Sequence, residues 1–350
     1  MKRIRVAVLY GGPSAEHEVS VVSARSVLQA IDRDRYDVLP VAITKGGRWL
    51  LPEHAPDQLE TIKGSLPGVD EDGGVVLALD GRGTGLQPLP AVDVVFPVLH
   101  GPGGEDGTVQ GFLELLGVPY VGCGVAASAV GMDKSLQKPV FAAAGIPVTP
   151  WVTITEQSFA EDQQSEIRRA IDAVGLPAFA KPANLGSSVG VSKCKTADEL
   201  RRGIEEALVH DRVVLVEEAI AGRELECAVL GNEEPEASVV GEVIPAHEFY
   251  DYEAKYLIDG SDIVIPAEIP AAASEQVRRH AVQAFTAIGG AGMARVDFFL
   301  AGDRVLLNEI NTIPGFTPIS MYPKLWEASG LAYPKLIDRL IELALERHRA

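Results

Sequence analysis

The chain's 350 residues are 47% apolar and 23% charged, enough to build two or three domains with cores of their own and unlike a disordered chain. Its 49 acidic and 31 basic side chains leave a formal net charge of -18, which argues against a nucleic-acid duplex or an anionic membrane as the main partner. A few local donors can still hold a phosphate inside an acidic molecule, so the balance bears on solubility and not on the site.

The basic start Met1-Lys2-Arg3-Ile4-Arg5 leads into a short apolar run that ends at Gly11-Gly12 with no cleavage pattern, so no signal peptide is expected. Residues 4–10 read as a strand, 16–31 as a helix and 37–44 as a second strand, an opening that favours a parallel sheet. Residues 51–90 are rich in Gly, Pro and Asp without a period and read as a surface excursion. Val92 to Leu99 is a buried-type strand that runs into the loop from His100 to Gly107, followed by a helix over 108–116 and a short strand near Tyr120.

Helical patterns at 133–144 and 162–174 come next, then the strand Ala178 to Lys181, a glycine-rich loop at 186–190 and a returning strand to Cys194. Thr196 and Glu199 have capping-box spacing and open an amphipathic helix to about His210. Strands follow at 213–217, 224–230 and 237–245. Residues 246–262 then lack a period, as a functional loop does. A helix over 274–288 and a hairpin of 293–300 with 304–310 about Ala301-Gly302-Asp303 complete the pattern. No stretch of about 18 apolar residues is present to span a bilayer. Cys123, Cys194 and Cys227 form no CxxC pair and are odd in number, as expected of reduced thiols in a soluble, cytoplasmic protein.

The hairpin carries the strongest chemical signal. Arg295 and Asp297 share one strand face, Glu309 and Asn311 share a face of the other, and the turn brings Asp297 opposite Glu309. Facing carboxylates repel unless a cation lies between them, and Asp, Glu and Asn supply the hard oxygens that Mg²⁺ prefers. The alternative is a solvent-facing strand pair with incidental charges. Lys181 stands at a strand end before the loop Gly186-Ser187-Ser188-Val189-Gly190, whose N–H groups and hydroxyls could converge on an anion, although a tight hairpin turn explains the same residues.

Gly11-Gly12-Pro13-Ser14-Ala15-Glu16 meets a helix N-terminus suited to an anion, with Glu16 near enough to grip an ammonium; plain capping by Ser14 or Glu16 is the alternative. His100 ends a strand where α/β crevices place ligands, yet a lone histidine is more often structural. Glu217, Glu218 and Glu224 flank a loop after a strand, where Glu217 could meet a ribose hydroxyl or the loop could simply be acidic. Tyr250, Tyr252, Lys255 and Tyr256 gather in the long irregular segment, as a lid over a hydrolysable intermediate would have them. GxGxxG, a nucleophile elbow, HExxH and Cys/His zinc spacings are all missing, which leaves dehydrogenase, serine hydrolase and zinc-enzyme readings without their parts.

Eight segments in chain order, GGPSAEHEVS, LHGPGGEDGTVQG, GMDK, KPANLGSSVGVSK, VEEAIAGRE, FYDYEAKY, ARVDFF and NEINTIPGFT, resemble the D-alanine–D-alanine ligases of the ATP-grasp superfamily and span nearly the whole chain. The resemblance implies an α/β, three-domain architecture: an N-terminal substrate-binding domain with a parallel sheet over 1–122, a central α+β ATP-grasp domain over 123–216, and a C-terminal catalytic α+β domain over 217–350 with a lid at 246–262. It implies that ATP phosphorylates one D-alanine carboxylate, that the amine of a second D-alanine attacks the acyl phosphate, and that the dipeptide serves peptidoglycan precursor synthesis.

By position, Lys134, Lys181, Ser187, Ser188 and Lys255 resemble phosphate contacts, and Glu217, Glu218, Glu224, Asn308 and Glu309 nucleotide contacts. Asp297, Glu309 and Asn311 resemble the ligands of two Mg²⁺ ions, for which Mn²⁺ can substitute, and K⁺ is a candidate activator. Arg295 and the backbone of Gly315 resemble oxyanion donors; Glu16, His100 and Ser320 resemble substrate contacts; Glu16, Ser187 and Tyr256 resemble a triad tying lid, loop and first domain. A homodimer is implied as well. Tyr256, where makers of D-alanyl–D-lactate usually carry Phe or His, favours an amino acid as second substrate, and Ala219 stands where relatives often hold a bulky aromatic. A D-alanine–D-lactate ligase, another ATP-grasp carboxylate–amine ligase and a non-catalytic nucleotide-binding regulator are the competing readings.

Overall fold

The computed structural model describes residues 3–52, 68–69, 74–77, 91–186, 189–244, 262–317 and 319–349. Ser187, Ser188, Lys255, Tyr256, nearly all of the expected lid and most of 51–90 lie outside them.

Three sheets organise these residues. The first, in the order β4-β3-β2-β1-β5, is built from β1 (Ile4–Gly11), β2 (Tyr36–Ile43), β3 (Trp49–Leu51), β4 (Gly74–Leu77) and β5 (Val94–Pro97). β1 pairs parallel with β2 and β5, as the opening pattern predicts, but β3 and β4 join antiparallel. The sheet is therefore mixed where a parallel one was expected. The cause is local: a turn closed by Gly47 N–H to Thr44 C=O (3.0 Å) and Thr44 N–H to Arg48 C=O (2.9 Å), with Gly47 at φ +78°, sends the chain straight back.

Helix α1 (His17–Ala30) follows β1, with α2 (Thr108–Leu115) after β5. Helix α3 (Val125–Met132) and its neighbour α4 (Lys134–Ala143), the latter expected at 133–144, bridge to the third sheet. Asp133 caps α4 by accepting from Ser135 N–H at 2.8 Å and Leu136 N–H at 3.3 Å; of the two helices, only α3 lay outside the expected pattern.

The third sheet has the order β6-β9-β7-β8, from β6 (Trp151–Thr155), β7 (Ala178–Pro182), β8 (Ser192–Cys194) and β9 (Val213–Glu218). Helices α5 (Glu156–Glu161), α6 (Gln163–Val174) and α7 (Ala197–Leu208) belong to this part. Thr196 caps α7 through Glu199 N–H at 3.2 Å, while the Glu199 carboxylate takes Lys195 N–H at 2.6 Å, so the expected box closes one residue early.

The second sheet runs β12-β11-β10-β13-β14, from β10 (Arg223–Gly231), β11 (Glu236–Ile244), β12 (Asp262–Val264), β13 (Gly292–Ala301) and β14 (Arg304–Asn311). Val296 and Phe298 on β13 are buried against α8 (Ala271–Ala287), with Phe285 of that helix in the same core. Arg295 and Asp297 alternate to the half-open face. Two C-terminal helices, α9 (Met321–Ala328) and α10 (Tyr333–Arg349), were not read from the sequence. Leu336, Leu340 and Ile341 of α10 share one core with Val6, Val8 and Phe96 of the first sheet, so the chain's last helix returns to its first strands. Arg347 reinforces this by donating to the carbonyls of Gly122 (2.5 Å) and Tyr120 (3.2 Å).

Candidate active site

The second and third sheets face each other across a cleft of about 590 Å³, a size suited to a small-molecule ligand. Phe179 and Lys181 reach it from β7, Glu217 and Glu218 from β9, Glu224 from β10, and Asn308 and Glu309 from β14. Lys134, at the first turn of α4, completes that wall. Seven residues singled out in the sequence, Lys134, Lys181, Glu217, Glu218, Glu224, Asn308 and Glu309, thus share one cleft.

The cleft's cations and acids are paired. Lys181 Nζ lies 2.8 Å from Glu217 Oε1, and Lys138 Nζ lies 3.1 Å from Glu217 Oε2. Burial alone would raise the Glu217 carboxyl, but the two ammonium groups outweigh it and hold the acid below its ordinary value. Lys134 Nζ meets Glu309 Oε2 at 3.3 Å and donates to Leu185 C=O at 2.9 Å. Lys138 and Thr149, which lies against it, were missed in the sequence; a second lysine one turn after Lys134 was the available signal.

The hairpin supplies Phe299, Asn308 and Glu309 to the cleft's lining. Asp297 is directly opposite Glu309, and Arg295 directly opposite Asn311. The register then slips so that Phe298 pairs with Leu307, leaving Asn308 as the extra residue of a bulge. Arg295 Nε donates to Asp297 Oδ1 at 2.7 Å, its other terminal nitrogen to Oδ2 at 2.7 Å, and Nε also lies 3.0 Å from Glu226 Oε2. Asn311 Nδ2 donates to Asp297 Oδ2 at 3.0 Å. Glu226, which pairs with Asp297 on the other side, was not anticipated, although its alternation with Glu224 on one strand face pointed to it.

Asp297, Glu309 and Asn311 offer two carboxylates and an amide oxygen on adjacent strands, a set of hard donors that fits Mg²⁺ with water and phosphate completing the shell. Among the described residues, no three His, Cys, Asp or Glu side chains are grouped to hold a metal by themselves.

The first sheet's loops close the far side. A Cβ built on Gly101 would lie 2.9 Å from Glu16 Oε2 and one on Gly186 would lie 3.2 Å from it, so Glu16 sits between the loop after β5 and the glycine-rich loop. Ser14 does not cap α1 but donates to His100 C=O at 2.6 Å. Both ring nitrogens of buried His100 are engaged, with Ser23 Oγ at 3.0 Å and Ile313 C=O at 3.1 Å. Burial holds this imidazole below its ordinary pKa, against the pull of Glu16. Glu105, also unanticipated, accepts from Gly101 N–H at 2.7 Å and Ile313 N–H at 3.2 Å. Burial, then the charge on Glu16, pushes its carboxyl up to about 8. Ser320 Oγ accepts from Thr317 N–H at 3.0 Å, and a Cβ on Gly315 would lie 2.7 Å from that oxygen, so a side chain there would displace the Ser320 hydroxyl.

Sheets that grip a nucleotide-sized cleft between them, with paired lysines and acids inside and an Arg-Asp-Glu-Asn hairpin at one end, define an ATP-grasp carboxylate–amine ligase architecture. Family models described as D-ala D-ala ligase N-terminus and D-ala D-ala ligase C-terminus match residues 5–123 and 140–342. The D-alanine–D-alanine ligase of Bacillus cytotoxicus is 45% identical over 356 residues, covering 100% of this chain and 98% of that protein. The structure of the D-alanine–D-alanine ligase from Coxiella burnetii superposes with a TM-score of 0.82 at 40% identity, over 100% of this chain and 96% of that one. VanG D-Ala:D-Ser ligase from Enterococcus faecalis does so with a TM-score of 0.82 at 36% identity, over 98% of this chain and 100% of that one. The chain belongs to the D-alanine–D-alanine ligase family.

Proposed function

We propose that the chain joins two D-alanine molecules into D-alanyl-D-alanine, with ATP converted to ADP and phosphate. The observation that carries this reading is the Asp297–Glu309 pair beside Arg295, at the end of a cleft whose lysines already meet carboxylates as they would meet phosphates.

ATP occupies the cleft between the two sheets, with Lys134 and Lys181 against its phosphates and Glu217, Glu218 and Glu224 on the base and ribose side. Glu16 accepts from the ammonium of the first D-alanine, which leaves that molecule's carboxylate free to face the γ-phosphorus. A carboxylate oxygen attacks it, the bond to the β-phosphate oxygen breaks, and ADP and D-alanyl phosphate result. The amine of the second D-alanine, its own carboxylate against Ser320, then attacks the acyl carbon. Arg295 and the Gly315 N–H donate to the oxygen that becomes negative, and inorganic phosphate leaves. Such donors are typically worth about 10²–10³ in rate. Mg²⁺ held by Asp297, Glu309 and Asn311 would supply charge neutralisation at the transferring phosphoryl group. The homodimeric state, the cytoplasmic setting and the role in peptidoglycan precursor synthesis rest on the family resemblance.

A panel of D-alanine, L-alanine, D-serine and D-lactate, each with ATP and Mg²⁺, tests the proposal through ADP release and product mass. Turnover with D-alanine alone is expected; ADP release only when D-lactate or D-serine is also supplied would reassign the second substrate.

A further inference from the structure

Lys138 lies outside every motif that drew attention in the sequence, yet its side chain is 0% exposed and joins three elements. Its ammonium lies 3.1 Å from Glu217 Oε2 on β9, donates to Asn308 C=O on β14 at 3.3 Å, and donates to the Thr149 hydroxyl. Thr149 in turn donates to the same Glu217 oxygen at 3.2 Å. Burial draws the Lys138 pKa down to about 8, with Glu217 opposing the fall.

The neighbours of Lys138 on the helix show the same orientation. Lys134, Gln137 and Lys138 stand at i, i+3 and i+4 and so share one face of α4. They address three successive residues of β14: Lys138 takes the carbonyl of Asn308, Lys134 the carboxylate of Glu309, and Gln137 Oε1 the N–H of Ile310 at 3.1 Å. Asn308 is the bulge residue, and a bulge aims the side chains beside it. The helix face therefore meets the kink beside Glu309, and through Lys138 it also meets Glu217, which lines the same cleft.

We propose that Lys138 is a positioning residue that fixes two features of the nucleotide cleft together: the Glu217 carboxylate, and the Asn308 bulge that aims Glu309. It acts through those two residues and reaches the nucleotide only by way of them. The proposal rests on the ligase reading for the identity of the nucleotide.

The test is Lys138→Met, read by calorimetric titration with a non-hydrolysable ATP analogue in EDTA and in excess Mg²⁺, together with steady-state kinetics. Loss of a partner behind a ligand typically costs about 10–100-fold in affinity. The analogue is expected to bind about tenfold more weakly in EDTA, with a larger loss in Mg²⁺; KM for ATP rises while KM for D-alanine stays within about twofold. Thr149→Val, which keeps both charges, is expected to shift binding the same way by less. A folded Lys138→Met protein that binds the analogue like the native chain overturns the proposal, and so does an equal loss with and without Mg²⁺, which would confine the role of Lys138 to Glu217. If Lys138→Met does not fold, Thr149→Val decides, and unchanged affinity in that variant overturns the proposal. A native chain with no D-alanine-dependent turnover would defeat the ligase reading; a native chain that turns over, beside an indifferent Lys138→Met, defeats only this proposal.

Discussion

Asp297 and Glu309 stand directly opposite each other in the β13–β14 ladder, one step before the register slips, and each carboxylate meets its own cation, Arg295 for Asp297 and Lys134 for Glu309. Two acids so placed would repel without those partners. The two cations come from different parts of the chain, one from the same strand and one from α4 beside the cleft, so the acids are held apart as well as neutralised.

Arg295→Lys tests how far that geometry serves the reaction. A lysine keeps the charge but cannot make the two parallel bonds to Asp297 or present a planar fork. We expect kcat to fall by about 10²-fold or more with KM for ATP little changed. Steady-state kinetics with D-alanine saturating would show it, and a kcat near that of the native chain would remove Arg295 from the oxyanion role.

Glu16 touches two loops from opposite sides, near Gly101 and near Gly186. Glu16→Gln removes the charge while keeping the shape, so it should raise KM for the first D-alanine by about tenfold, the worth of a hydrogen bond between charged partners. KM for ATP should stay put. A change in ATP KM alone would mean that Glu16 orders the glycine-rich loop and does not grip substrate.

Gly131 on α3 has no room for a side chain: a Cβ there would come within 2.7 Å of Thr312 Cγ2. Gly131→Ala must push the segment that starts at Thr312, next to Asn311. Overpacking of this kind typically costs about 1–3 kcal/mol. Denaturant unfolding should register that loss, with a fall in kcat beside it; a variant unchanged in both would show that the Thr312 loop gives way freely.

Glu105 predicts a pH dependence. Its carboxyl is pushed up to about 8 by burial and by Glu16, from an ordinary value of 4.5. A group whose folded pKa is raised contributes stability that is fully present below pH 4.5 and is lost as pH rises through about 8. The native chain's melting temperature should therefore fall from about pH 4.5 to about pH 8 and level off above that, and Glu105→Gln, which cannot ionise, should flatten that fall. Parallel melting curves for the two proteins across this range would show that Glu105 does not titrate there.

Much of this arrangement was legible before any coordinates. The hairpin could be read because Val296 and Phe298 alternate with Arg295 and Asp297, and a charged residue at every second position of an apolar strand marks a half-open face. The bulge at Asn308 could not, because neither Gly nor Pro marks it and Lys138, which donates to its carbonyl, lies 170 residues away in the chain. Gln137 and Lys138 were not singled out, since polar side chains on a helix are ordinarily solvent-facing and are buried only when a distant strand supplies partners. Helix α3, VAASAVGM, has no polar face to give it a period. The antiparallel edge of the first sheet depended on a turn at Thr44–Arg48, for which Gly46-Gly47 between two apolar runs was the available and unused signal.

If ATP activates a D-alanine carboxylate by phosphorylating it, one carboxylate oxygen must leave with the phosphate. D-alanine labelled with ¹⁸O at both carboxylate oxygens, turned over with unlabelled ATP, tests this most directly through the mass of the phosphate released. One ¹⁸O in each phosphate, matched by one dipeptide, is the result this account predicts. Unlabelled phosphate accompanying dipeptide would contradict it, because the carboxylate oxygen would then never have been bonded to phosphorus.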